Sequence, residues 1–414
     1  MIDEKLSVFY CALAVGKLWQ NTVGQIGFQY EKEWISDGFA ISQQLPLRAS
    51  PYTPEEGVAH RYFANLLPEA NARAHVIRDL KISNSDFELL KAIGGECAGA
   101  LSILPSNHGV QRKPRYRKLT AEDLEKILLR RGNITSFISD ENRPRLSLAG
   151  AQDKCAIYFE KNEYFLPCDA SASSHILKFE VPDYRNIPVY EYFLTQLAKT
   201  IDLPVVNCDL IKRNDRYFLQ IQRYDRIKDN NEMRRLHQED FCQALGISCL
   251  QKYQQEGGPT FQDCYQLIKK ISANPIIDAE NLLKWQIFNV LAGNSDGHAK
   301  NLSIIYDHHQ QIRLAPFYDL VCTRAIERID SRLALSVGDE FNPDFITQTH
   351  WAQLALQCDI RENYLNGLRI KIAEAVLENI FSVEKKFVEQ HGEYPALERV
   401  HRFITKRCKK ELTQ

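Results

Sequence analysis

Asp296 and Asn301 stand five residues apart in the stretch Gly293-Asn294-Ser295-Asp296-Gly297-His298-Ala299-Lys300-Asn301. This D-x-x-x-x-N spacing is that of the protein-kinase catalytic loop, where a carboxylate accepts the acceptor proton and an amide oxygen holds Mg²⁺. The spacing has a physical reason: one loop must reach the acceptor hydroxyl on one side and the metal on the other. Lys300, between them, can neutralise a transferring phosphoryl group. Alone, the spacing is a weak signal. A second carboxylate, Asp319, closes the run Pro316-Phe317-Tyr318-Asp319. An Asp at a strand end beyond the catalytic loop is where a kinase places its other metal ligand. Taken singly, such a residue more often caps a turn. The two segments in this order point to phosphoryl transfer.

That chemistry needs a phosphate cradle and a lysine upstream. Ser147-Leu148-Ala149-Gly150-Ala151-Gln152-Asp153-Lys154 precedes a β-rich run. Its small residues let backbone N–H groups approach phosphate oxygens. It is neither a Walker A sequence nor G-x-G-x-x-G. Lys178 sits in the otherwise apolar strand His175-Ile176-Leu177-Lys178-Phe179. A charged head there must reach solvent or find an anion; nucleotide phosphate and an edge-strand position are both open. Glu191, opening a helical run over 189–200, is the candidate ion-pair partner of Lys178.

With these segments in place, the chain resembles toxin kinases of the HipA type, from bacterial type II toxin–antitoxin pairs. The matching stretches are Phe63-Ala64-Asn65-Leu66-Leu67-Pro68, Cys97-Ala98-Gly99-Ala100-Leu101, residues 147–154, His237-Gln238-Glu239-Asp240-Phe241, residues 293–301 and residues 314–319. They follow the family's order from about residue 5 to 340. The strings at 237–241 and 296–301 are specific; the C-terminal quarter is less diagnostic.

The resemblance implies an α+β, protein-kinase-like, two-lobed fold with a β-rich N-lobe, an extra N-terminal subdomain and a mainly helical C-lobe. It implies an ATP- and Mg²⁺-dependent serine/threonine protein kinase. Asp296 would be the catalytic base, and Asn301 and Asp319 the Mg²⁺ ligands. Lys178 would hold ATP phosphate, with Ala149, Gly150, Ala151, Gln152, Asp153 and Lys154 as the phosphate loop. Gln222, Arg223 and Tyr224 would form the hinge beside adenine, and His298, Lys300 and Tyr318 would complete the nucleotide pocket. Ser147 matches the family's autophosphorylated serine. The implied partners are a helix-turn-helix antitoxin of the HipB type and a protein substrate, with aminoacyl-tRNA synthetases as known family targets. DNA enters only through the antitoxin. Two positions depart from the family's usual residues, Gln222 and Asp153, where Glu is common.

The elements that position these residues divide the chain into 1–105, a β-rich N-terminal subdomain, 106–230, an N-lobe with linker, phosphate loop and hinge, and 231–414, a helical C-lobe. The length of 414 residues suits two or three domains. A first strand is expected over 6–15, a second over 25–30, and helices over 59–74 and from 86. Residues 106–118, with Pro, Gly and five basic residues, read as a linker. A helix should start at Thr120, capped reciprocally with Asp123 and stapled by Leu119 and Leu124. Strands are expected over 154–159, 175–179, 208–212, 218–222, 302–306 and 311–315. A helix through Leu283, Ile287 and Leu291 should end at Gly293.

Composition excludes several classes. Hydrophobic residues are 44% and charged residues 25%, which argues against global disorder. The formal net charge of -1 argues against strong unaided binding to nucleic-acid backbone. Eleven cysteines without a C-x-x-C pair read as buried, reduced thiols of a cytoplasmic protein. No apolar run is long enough to span a membrane. Three other readings stay open at this level. Asp307-His308-His309 invites a metal hydrolase with Asp296 and His298 as further ligands. A nucleotide-binding pseudokinase could act only as co-repressor with a DNA-binding antitoxin. The same fold could transfer a nucleotidyl group.

Overall fold

The computed structural model describes residues 4–107, 109, 113–132, 145–146, 149–150, 152, 154–180, 184–229 and 232–413. Ser147, Ala151 and Asp153 lie outside these. The chain divides into two compact units, one of residues 1–179, 220–250 and 305–310, the other of 180–219, 251–304 and 311–414.

The first unit opens with an antiparallel sheet in the order Ile26–Tyr30, Leu13–Gln20, Leu6–Tyr10, Leu101–Pro105. Leu6, Val8, Leu18, Phe28 and Ile103 are fully buried in it, against Phe63, Leu67 and Phe87. The strand expected over 6–15 is therefore a hairpin, Leu6–Tyr10 with Leu13–Gln20, turned at Cys11 with φ +55°. The helix expected over 59–74 is two, Val58–Ala64 and Ala70–Leu80. Pro68 explains the break: it lacks an N–H and drives its predecessor out of the α region. It pairs instead with Gly150 in a parallel bridge.

A second antiparallel array in this unit runs Tyr116–Lys118, Glu163–Pro167, Lys154–Glu160, His175–Lys178. The end of the expected linker is thus a strand. Its Tyr116 ring stacks on Tyr158 with centroids 4.3 Å apart. The helix Ala121–Leu129 begins as expected, with Thr120 and Asp123 capping each other. The strands expected over 154–159, 175–179, 208–212 and 218–222 are present as Lys154–Glu160, His175–Lys178, Cys208–Arg213 and Arg216–Gln222.

The string at 237–241 is a buried polar knot in the first unit. Tyr306 Oη donates to Glu239 Oε1 at 2.5 Å, and the Gln43 N–H donates to the same oxygen at 3.2 Å. Burial outweighs these bonds and pushes the Glu239 carboxyl up to about 7. Burial likewise holds the His237 imidazole down, at about 4, while its Nε2 meets Ile41 O at 2.7 Å. The two groups act oppositely on stability. Glu239 stabilises fully below its ordinary value of 4.5, and this is lost as pH rises through about 7. His237 stabilises fully above 6.5, and this is lost as pH falls through about 4. Between these values the two slopes oppose each other, so the comparison isolates Glu239. Relative to Glu239→Gln, wild-type protein is expected to lose stability between about pH 4.5 and 7, with a constant difference above about pH 8. Urea midpoints across that range check this; parallel slopes for the two proteins would contradict it.

The second unit carries the helices Ile187–Lys199, Phe261–Ile271, Pro275–Ala292, Gln348–Gln357, Glu362–His391 and Ala396–Glu411. Pro275–Ala292 ends at Gly293 with φ +70°, as expected. The buried Asp278 at its start grips the strand Ile312–Leu314. It accepts from Arg313 Nε and Nη2 at 2.9 Å each, and from the Leu314 N–H at 2.9 Å. One helix thereby carries the loop 293–301 at its end and the strand leading to Asp319 at its start. All eleven cysteines are free thiols; nine are buried, Cys249 is half-buried and Cys11 exposed. Among the described residues, no helix is long and apolar enough to cross a membrane.

Candidate active site

The loop after Gly293 is held by its own side chains. Asn294 Oδ1 accepts the Asp296 N–H at 3.2 Å, and its Nδ2 donates to Asn289 Oδ1 at 3.0 Å and Asp319 O at 3.4 Å. Asn294 therefore ties the loop to the segment bearing the second carboxylate. Thr323 Oγ1 accepts the Ser295 N–H at 2.8 Å and donates to Gly293 O at 2.9 Å. A Cβ on Gly297 would lie 2.7 Å from Asn289 Nδ2 and 3.2 Å from the Trp285 ring, so a side chain there would have to displace Asn289.

Asp296 projects from this frame with its side chain about half exposed, as contact with an incoming substrate requires. Asn301 is buried, and its Nδ2 donates to Asp296 O at 2.9 Å. That bond fixes the orientation of the amide. His298 and Lys300 are buried as well. The His298 N–H donates to Asp296 O at 2.8 Å. Tyr318 Oη donates to Lys300 O at 3.1 Å and lies 3.0 Å from Ser303 Oγ, so its hydroxyl braces the loop.

Asp319 has φ +57°. A left-handed non-glycine residue costs energy and persists only where its surroundings enforce it. Here its N–H donates to Glu191 Oε1 at 3.3 Å and its C=O accepts from Asn294. Glu191 lies on Ile187–Lys199 and is buried. Its bond to the Asp319 backbone is absent from the sequence reading, which gave Glu191 only the role of partner to Lys178.

Among the described residues, no group of three or more His, Cys, Asp or Glu could hold a metal. Asn301 with Asp319 suits Mg²⁺, which takes one or two protein ligands and completes its shell with phosphates and water. The reading of Asp307-His308-His309 as a metal site fails. Asp307 Oδ1 accepts the His309 N–H at 2.7 Å in a local turn, and both histidines are exposed.

The first unit holds the phosphate-loop candidates. Lys154 and Lys178 are direct cross-strand partners, which sets two like charges on one face of the sheet. Such a pair gains from a bound polyanion. Lys178 is buried, and Lys154 Nζ donates to Ala149 O at 2.5 Å. Gly150 has φ +107°, and its C=O accepts the Glu69 N–H at 3.1 Å. Gln152 Nε2 donates to Phe179 O at 2.9 Å, which pins the loop to the strand of Lys178. In the segment expected as the hinge, Gln222 is exposed, while Arg223 is buried in an ionic cluster with Glu96 and Asp225. The Arg223 N–H donates to Ser174 O at 3.0 Å, and Tyr224 Oη donates to Gln238 Oε1.

Residues 146–383 match the HipA-like C-terminal domain, and residues 6–104 the HipA N-terminal domain. The chain belongs to the HipA family. Within that family, it is 35% identical to the Sinorhizobium fredii protein Y4mE over 372 residues, 87% of each chain. It is 29% identical to the serine/threonine-protein kinase toxin HipA of Shewanella oneidensis over 388 residues, 90% of this chain and 87% of that one. The structure of Shewanella oneidensis HipA with HipB and operator DNA superposes with a TM-score of 0.84 at 26% identity. It covers 98% of this chain and 97% of that chain. The HipA-family chain thus has the expected α+β, protein-kinase-like, two-lobed fold.

Proposed function

We propose that this chain is an ATP-dependent serine/threonine protein kinase acting as the toxin of a toxin–antitoxin pair. The observation that carries the reading is the strained, doubly hydrogen-bonded Asp319 tied through Asn294 to the loop that presents Asp296 and orients Asn301.

In this reading Asp296 orients the acceptor hydroxyl and takes its proton. Asn301 and Asp319 hold Mg²⁺, which supplies charge neutralisation at the transferring phosphoryl group. Lys178 and Lys154, with Ala149, Gly150, Ala151, Gln152 and Asp153, hold the ATP phosphates. Gln222, Arg223 and Tyr224 offer backbone groups to adenine. With its guanidinium buried and its N–H donated to Ser174 O, Arg223 would contribute only its C=O. His298, Lys300 and Tyr318 shape the pocket around the catalytic loop. The division 1–105, 106–230 and 231–414 belongs to the same reading.

The kinase acts in the bacterial cytoplasm on a serine of a host protein, with an aminoacyl-tRNA synthetase as the target class. A helix-turn-helix antitoxin of the HipB type restrains it. With a net charge of -1, the chain leaves most operator-phosphate contacts to that partner. The structural likeness to a HipA that assembles with HipB and DNA supports this partner. Phosphoproteomics after brief induction tests the function. New phosphoserine on a few host proteins is expected with wild type and not with Asp296→Ala. Growth arrest that survives Asp296→Ala would contradict the reading.

The same enzyme modifies its own Ser147. Phosphate there adds about two negative charges beside the loop that meets ATP phosphates, so the modified protein loses its nucleotide. Mass spectrometry of protein purified with ATP and Mg²⁺ should find phosphate on Ser147 in wild type and none in Asp296→Ala. Ser147→Asp should lose ATP affinity. Equal phosphate on both proteins would assign the modification to another kinase.

A further inference from the structure

We infer that Tyr253 is a positioning residue for phosphotransfer, acting through Asp296; this rests on Asp296 being the catalytic base. Tyr253 Oη donates to Asp296 Oδ1 at 2.6 Å, across 43 residues of chain. This is a short, charge-assisted hydrogen bond to the carboxylate that must orient the acceptor. The Tyr253 and His298 rings pack in a T shape, centroids 5.1 Å apart with planes at 87°, and His298 Nε2 lies 3.9 Å from the same Oδ1. Both side-chain contacts fall on one carboxylate oxygen. Oδ2 is then the oxygen assigned to the acceptor proton.

A half-exposed carboxylate without such a bond rotates about χ1 and χ2, and each misplacement lowers the fraction of near-attack geometry. Tyr253 can suppress that rotation only if it is itself fixed, and the surrounding turn fixes it. Tyr253 O accepts the N–H groups of Glu256 and Gly258, at 3.0 Å each. A Cβ on Gly258 would lie 2.2 Å from Gln251 O and 2.7 Å from Tyr253 O, so the turn closes only on glycine. The next residue locks the turn to the loop's own neighbours. The Gln254 N–H donates to Ala334 O at 3.1 Å, and the Ala334 N–H donates to Ser295 O at 3.0 Å. The Gln254 side chain pairs twice with Ser336, as Oε1 accepts its N–H at 2.9 Å and Nε2 donates to its Oγ at 3.0 Å. Tyr253 and Asp296 are therefore braced against one strip of chain, 334–336.

The transfer step balances without Tyr253 changing state. The acceptor oxygen forms a bond to the γ-phosphorus, and the bond from that phosphorus to the β,γ-bridging oxygen breaks. ADP leaves with that electron pair, and the acceptor proton goes to Asp296 Oδ2. Tyr253 keeps its proton and its bond to Oδ1 throughout.

The test is a double-mutant cycle in the full chain, with γ-labelled ATP and Mg²⁺ and incorporation into the protein as readout. Tyr253→Phe keeps the ring on His298 and removes only the hydroxyl. Its rate is expected to fall about tenfold to a hundredfold, the worth of a hydrogen bond to a charged group, with KM for ATP unchanged. In an Asp296→Asn background the same substitution should add no further loss. Gln254→Ala, which loosens the turn from its other side, should share a smaller fall in rate, again without a change in KM. A wild-type rate or a faster one in Tyr253→Phe, while Asp296→Ala slows transfer at least about a hundredfold, would overturn the inference and leave the base intact. An equal loss in the Asp296→Asn background would overturn it as well. Transfer that survives Asp296→Ala would sink the base reading itself, and the inference with it.

Discussion

Asp296→Ala is expected to lower phosphotransfer about 10²–10⁴-fold, the range for loss of a positioned general base, while Mg-ATP still binds. The side chain is half exposed and its carboxylate forms no part of the core, so folding should survive. Asp319→Asn is expected to fail differently. Asparagine tolerates the left-handed φ of +57°, and the backbone bonds to Glu191 and Asn294 remain. The lost charge removes the metal carboxylate, so affinity for Mg-ATP should fall together with the rate. Titration of a fluorescent ATP analogue with and without Mg²⁺ separates the two. Asp319→Asn binding Mg-ATP like wild type would remove Asp319 from the metal site.

Glu96→Ala should destabilise the first unit by about 3–5 kcal/mol, the cost of leaving buried charges without their partner. Glu96 is fully buried. Its carboxylate accepts from Arg226 Nη2 at 2.5 Å, Arg223 Nη1 at 3.0 Å and Ser173 Oγ at 3.1 Å. Burial alone would raise its pKa, but the Arg223 and Arg226 charges outweigh burial and hold it down to about 2. Its contribution is therefore present above the ordinary value of 4.5 and is lost as pH falls through about 2. Asp225 accepts from both arginines and from the Gly99 N–H at 2.8 Å, which carries the network into the run 97–101. Gly99 itself has φ +75°, and a Cβ there would lie 2.9 Å from Gln238 N. The measurement is the urea midpoint at neutral pH. A midpoint within error of wild type would show that the arginines find other partners.

The candidate loop was legible in the sequence as a segment, because the kinase-like spacing sets a few residue types at fixed separations within one loop. Asp296, His298, Lys300 and Asn301 lie within six positions, and the helix cap at Gly293 announced the loop's start. What supports that loop was not legible. Tyr253 reaches Asp296 from 43 residues away, and Glu191 reaches the Asp319 backbone from 128 away. Tertiary partners at such separations leave no periodicity behind. Glu96, between a Gly-Gly pair and a cysteine, reads as a loop residue until the fold brings two arginines to it. Two local errors had local causes. Pro68 stood in plain view as a helix breaker inside 59–74, and the apolar stripe on either side of it masked the break. The hairpin at Cys11 turned without Asn or Gly, the residues that usually mark such a turn.

The most direct test of the account is transfer of label from ATP by the purified chain with Mg²⁺, comparing ATP labelled at the γ-phosphate with ATP labelled at the α-phosphate. Label in protein is expected from γ-labelled ATP only, at a rate about a hundredfold or more lower with Asp296→Asn. Label from α-labelled ATP would make the enzyme a nucleotidyl transferase. Equal γ-label with and without Asp296 would contradict the account at its centre.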